Sequence, residues 1–135
     1  MDYNYLTNEG EIMIKWFILS LIIVSQAGAV MTDEDGCWNT SGMNCISASA
    51  KWSQYEKDLL IVTYRNTCDA RVYIKMCNSR KDGSKDCGSE GIFPGQTATW
   101  STHNANGRYN WKTVGSTRSS SDWECSGKVN NWNND

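Results

Sequence analysis

The sequence predicts an all-β fold: a small disulfide-stabilised antiparallel β-sandwich, or a small barrel, after an N-terminal signal peptide. Three observations carry this expectation. All six cysteines, Cys37, Cys45, Cys68, Cys77, Cys87 and Cys125, follow the first 29 residues. From Leu59 onward, apolar and polar residues alternate with period two between turn-forming clusters. After residue 29 no stretch of ten or more residues sustains helical spacing.

The elements follow in chain order. Met13–Ala29 carries Lys15, an apolar run from Trp16 to Val24, and small residues at Ala27 and Ala29. That is the order of a secretory signal, with cleavage expected after Ala29 and Met13 as an alternative start, because the preceding twelve residues carry the wrong charge. Residues 30–55 are polar and read as an N-terminal arm, residues 56–129 as the sandwich, and 130–135 as a flexible tail. "LLIVTYR" (59–65) and "ARVYIKM" (70–76) read as strands with one buried face, Val72, Ile74 and Met76 alternating with Arg71, Tyr73 and Lys75. Asp82-Gly83 marks a tight reversal, and Phe93-Pro94-Gly95 a turn. Residues 96–102 and 108–114 then form a hairpin about Asn106-Gly107, a pair that accepts the positive φ of a type I′ turn. A short helix near 50–57 and a last strand over 122–128 complete the expectation.

Sulfur chemistry fixes the compartment. An even cysteine count after an export signal implies disulfides, and the irregular gaps do not match zinc spacings. Six cysteines allow 15 pairings. Proximity in sequence favours Cys37 with Cys45 and Cys77 with Cys87, leaving Cys68 with Cys125. Loss of residues 1–29 removes Lys15 and three acids, so twelve basic and twelve acidic side chains remain of thirteen and fifteen. A neutral chain lacks the basic excess that draws proteins to nucleic acid, and no membrane insertion is expected once the signal is cleaved.

The catalytic candidates are thin. His103 is the only histidine, and no nucleophile motif singles out a serine beside it. The acids sit in turns and chain ends rather than on apolar strand faces, and Asp33–Asp35 lacks the spacing of a calcium loop. No catalytic residue, metal or cofactor is therefore assigned. Aromatics are the stronger signal. Trp100 and Trp111, on the two arms of the expected hairpin, read as neighbours in the core, whereas Trp52, Trp123 and Trp132 lie in polar surroundings and suit a ligand or partner face. Arg80, Lys81 and Lys85 in the loop "NSRKDGSKD" offer a contact for an anion or a partner.

"NTCDARVY" (66–73), Pro94-Gly95 and "GRYNW" (107–111) resemble the opening strands of thaumatin-like proteins. The last motif has an extra residue and six cysteines replace a larger set, so the resemblance implies a β fold alone.

The function expected from these residues is a secreted or periplasmic, non-catalytic binding module that recognises a glycan or protein surface through exposed aromatics. The alternative is a small inhibitor or immunity protein that blocks a hydrolase or toxin with a rigid loop, Asn78–Asp86. A third class, a hydrolase using His103, predicts an activity lost in His103→Ala.

Overall fold

Alternation of apolar and polar side chains sets the layout. In the computed structural model, which describes residues 30–41 and 43–128, it sorts seven strands into two packed antiparallel sheets. The expected signal segment, Trp132 and the tail 130–135 lie outside the described residues. The strands are β1 (Cys37–Trp38), β2 (Ile46–Trp52), β3 (Leu60–Asn66), β4 (Val72–Arg80), β5 (Lys85–Ile92), β6 (Thr97–Thr102) and β7 (Ala105–Ser116). A 3-10 turn (Ser119–Ser121) leads into one short helix, α1 (Asp122–Gly127). One sheet runs β1-β7-β4-β5 and the other β2-β3-β6.

Between the sheets lie Leu60, Val62, Tyr64, Ile74, Met76, Ile92, Ala98 and Ala105, all buried. Burying each of the larger aliphatic side chains contributes roughly 1.5–3 kcal/mol. The sandwich expectation is met, with β4 the best-covered strand. Trp100 of β6 lies flat against Gly88 of β5, where a Cβ atom would stand 2.2 Å from the ring. Only glycine permits that approach.

Several expectations are corrected. The hairpin 96–102/108–114 does not form, because β6 pairs with β3 and β7 with β4. The chain crosses between sheets at His103-Asn104 instead, with Asn104 at φ 55°. Gly107 does adopt the left-handed conformation (φ 90°), but within β7, where the register to β4 shifts between Asn78 and Arg80. The positive φ at Gly107 serves a bulge, which lengthens one strand, and not a reversal. The supposed arm 30–55 contains β1 and β2, so the sandwich begins well before residue 56. No helix forms at 50–57, because β2 runs to Trp52 in register with β3. Beyond the Asp82-Gly83 reversal, Lys85–Ile92 forms a strand that the low apolar content of "KDCGSEGI" concealed. Residues 122–127 are helical rather than extended, with Asp122 and Glu124 in the first turn, where carboxylates favour a helix start.

The disulfides are Cys37–Cys125, Cys45–Cys68 and Cys77–Cys87, so only the last of the expected pairings forms. Register explains the other two. Pairing of Ile46 with Asn66 brings Cys45 beside the β3–β4 turn that holds Cys68. Pairing of Cys37 with Ser116 points Cys37 outward, where α1 packs with Cys125 and Val114. Sheet neighbours, not sequence neighbours, decide.

A bidentate ion pair fixes α1. Arg71 donates to both carboxylate oxygens of Asp122, at 2.6 and 3.1 Å, and to the Ser116 hydroxyl, while its guanidinium lies over Phe93 at 5.4 Å. Lys128 at the helix end bridges Asp33 and Asp35, holding the Asp33 carboxyl below the usual range. Three disulfides of this kind belong to an oxidising environment, as outside the cell or in the periplasm. Among the described residues no helix is long and apolar enough to cross a membrane.

Candidate functional site

Among the described residues, strand β7 has one open side over most of its length. Among the described residues β1 pairs with it only at Gly115 and Ser116. One step further along, the Thr40 hydroxyl donates to the Thr113 carbonyl at 2.9 Å, so that carbonyl points away from β4. Strand parity then directs the N–H and C=O of Trp111 and Tyr109 to the same open side. In the second sheet β2 is likewise an edge. The two edges meet where Trp52 of β2 reaches Gly107 of β7.

Aromatic rings fill the space between them. Trp52 of β2 lies over Gly107, where an added Cβ atom would stand 3.4 Å from the indole. Trp111 and Tyr109, two residues apart on one face of β7, hold their rings nearly parallel (15°) at 6.2 Å. Tyr64 from β3 meets Trp111 edge-on, with centroids 5.5 Å apart and planes at 66°. Trp52 and Trp111 keep 48% and 39% of their surface open to solvent, whereas Tyr64 is fully buried. The result is an aromatic floor with two rings exposed above it.

Electrostatics mark the floor as unusual. The Tyr64 hydroxyl is buried without a hydrogen-bond partner. Burial, with a smaller contribution from Tyr109, pushes its pKa up to about 12. Asn78 Oδ1 is also buried and unpartnered, while its Nδ2 donates to Thr102 at 3.1 Å. Thr102 in turn donates to Asp86 at 2.8 Å, and Arg80 pairs with the same carboxylate at 3.2 Å. Unsatisfied buried polar atoms are costly and few, so two in one core call for a reason.

The sequence-predicted residues divide. Trp52 stands at the aromatic edge. Trp123 is exposed but sits on α1, outside the sandwich, so the two tryptophans share no surface built from adjacent strands. Arg80 is tied to Asp86, and Lys81 to Asp58 at 2.6 Å, while Lys85 of the same hairpin is exposed. Trp100 packs into the core as expected, but Trp111 is not its neighbour there: Trp100 lies against Gly88 of β5, whereas Trp111 stands on β7 beside Tyr64 and Tyr109. Tyr109 and Trp111 are thus the site residues that sequence reasoning missed. Their signal was the alternation in "RYNWKTV", read correctly but assigned wholly to the core.

Other candidates are less organised. His103 Nδ1 lies 3.5 Å from Glu56, both side chains being largely exposed at the end of the sandwich. A hollow of about 500 Å³ adjoins the point where β1 leaves β7, lined by Met31, Asn39, Thr40 and Thr113 among others. Among the described residues no group of three or more His, Cys, Asp or Glu side chains is placed to hold a metal ion.

No family model matches the chain. No curated protein matches it either. Among solved structures it is similar to the crystal structure of a DUF1425 family member from Shewanella sp. pv-4, at 15% identity and a TM-score of 0.32. The likeness covers 64% of this chain and 94% of that one.

Proposed function

We propose that this chain is a non-catalytic binding module of an extracellular or periplasmic compartment, recognising a glycan through Trp52, Tyr109 and Trp111. One observation carries the reading: two facing sheet edges bring two half-exposed indoles and a tyrosine over a buried aromatic floor. Half-exposed aromatics cost solubility and are retained where they contact something. Flat rings with an apolar face and a polar rim suit sugar rings, which present C–H faces and hydroxyl edges. Disulfides that fix the sheets also limit the ordering cost of binding.

Affinity electrophoresis of the full chain through gels containing soluble glucans, mannans, galactans and uronans tests this. Retardation by at least one polymer, lost in Trp52→Ala/Trp111→Ala while circular dichroism stays unchanged, is the expected outcome. Unaltered mobility across the whole panel, or retardation that survives the double substitution, removes the reading.

A second reading rests on the β4–β5 hairpin, whose tip is stiffened by Ser84 donating twice to Asp82 and by the Arg80–Asp86 pair. A rigid tip of this kind suits an inhibitor or immunity protein that inserts a loop into a hydrolase or toxin. Co-purification with one such enzyme, abolished by replacing residues 81–84, would favour it.

A further inference from the structure

Strand β1 covers the edge of β7 for two residues and then stops. Beyond Trp38 a side chain takes over from the backbone: the Thr40 hydroxyl meets the carbonyl of Thr113 at 2.9 Å and its hydroxyl at 3.0 Å. Beside this tether lies the hollow of about 500 Å³. That volume falls inside the roughly 300–1,000 Å³ range of small-molecule sites.

The lining is rich in neutral polar groups. Asn39, Thr40, Ser41 and Thr113 present an amide and hydroxyls, and Met31 adds apolar surface. Asn39 Oδ1 accepts from the Ser41 N–H at 2.8 Å, which holds the side-chain amide in place while its Nδ2 meets no partner among the described residues. The charged residues of the lining, Asp33 and Lys128, neutralise each other, and Asp35 holds Lys128 as well. A charged ligand group would have to compete with this ion-paired cluster. A sugar unit, with hydroxyl edges and an apolar C–H face, would not.

Position joins the hollow to the aromatic edge. Thr113 stands two residues beyond Trp111 on the same inward face of β7, since their partners on β4, Ile74 and Met76, both lie in the core. From Gly107, beneath Trp52, to Thr113 the strand runs about 20 Å, the span of roughly four sugar units. Along that span the N–H and C=O of Tyr109 and Trp111 face the open side, so hydrogen-bonding groups continue from the rings to the hollow.

We infer that the hollow is a second subsite of the same glycan site and takes an uncharged sugar unit, so that the ligand is an uncharged chain of about four sugars laid along the open side of β7. Its rings stack at Trp52, Tyr109 and Trp111, and its far unit is hydrogen-bonded by Asn39, Ser41 and Thr113. The inference rests on the glycan reading above and narrows both the length and the charge of its ligand.

Isothermal titration of the full chain with oligosaccharides of two to six units, cut from the same glucans, mannans, galactans and uronans, tests it. Expected is an uncharged series whose dissociation constant falls roughly tenfold from two units to four and then levels off. Ser41→Trp, which fills the hollow from its rim, should bring four units down to the affinity of two. Asn39→Ala should weaken four units roughly threefold. Both side chains are exposed, so the melting temperatures should stay close to that of the parent. Equal affinity for two and six units, sensitive to Trp111→Ala but indifferent to Ser41→Trp, overturns the subsite and leaves the aromatic glycan site standing. A length dependence that survives both Ser41→Trp and Asn39→Ala places the extra units elsewhere and defeats the inference. Tightest binding of the uronate oligomers overturns the uncharged class. Binding of no polymer and no oligomer overturns both readings.

Discussion

The two halves of β7 share one strand and one alternation, yet they end in opposite conditions. From Val114 to Ser116 every residue is buried: Val114 beneath α1 and the Cys37–Cys125 bond, Gly115 under Trp38, and Ser116 within the Arg71–Asp122 hydrogen bonds. From Asn106 to Lys112 the outward residues are exposed, and the inward rings remain half open. Strand pattern alone does not separate a structural face from a recognition face. What covers it does, and here the cover comes from distant segments, β1 and α1, joined by one disulfide across 88 residues.

Breaking that joint should give the largest effect. In the chain-entropy picture, the loop closed by Cys37–Cys125 corresponds to about 4.5 kcal/mol, against about 2.7 kcal/mol for Cys77–Cys87. Those loops span 88 and 10 residues. Urea denaturation of Cys37→Ser/Cys125→Ser and of Cys77→Ser/Cys87→Ser should therefore show the first as the less stable variant by roughly 2 kcal/mol. Equal midpoints would mean that the closed half holds without its crosslink.

The same contrast can be drawn with one residue type. Trp38 is 4% exposed, its Nε1–H donates to the Arg71 carbonyl at 3.0 Å, and its ring presses on Gly115. Trp38→Ala should cost about 4 kcal/mol, because it opens a cavity and orphans a carbonyl. Trp111→Ala, with part of its ring already in water, should cost nearer 1–2 kcal/mol and show its main effect in ligand binding. Guanidinium titrations of the two variants measure the difference, and similar losses would place Trp111 in the core after all.

Much of this was legible in the residues, and the remainder was hidden for identifiable reasons. Alternation in "ARVYIKM" set Val72, Ile74 and Met76 apart from Arg71, Tyr73 and Lys75, so the buried face of that strand was readable. Its assembly into a sheet was not, since that requires knowing that β7 pairs with β4 rather than with β6. Asn106-Gly107 misled because a left-handed residue serves a bulge as well as a turn. Disulfide partners were hidden for a related reason: Cys45 meets Cys68, and Cys37 meets Cys125, through register and helix docking. Trp52 was found because it interrupts a polar run. Trp111 was not, because a strand's inward positions are buried only where the opposite sheet extends over them.

The buried floor sharpens the comparison from inside. Tyr64 loses its charge-stabilising water on folding, so its pKa stands at about 12 against 10.0 for the free side chain. The folded state therefore favours the neutral phenol, and the stability this confers is complete below pH 10 and lost as pH rises toward 12. Two units correspond to about 2–3 kcal/mol. Alkaline unfolding followed by tyrosinate absorbance should show one late-titrating tyrosine, and Tyr64→Phe should flatten the decline in stability between those pH values. At neutral pH the same substitution should change stability by less than about 1 kcal/mol, because it deletes a hydroxyl that has no partner to lose. A larger loss at neutral pH would show that the Tyr64 hydroxyl is engaged, which would turn the floor of the aromatic edge from a passive support into part of the recognition surface.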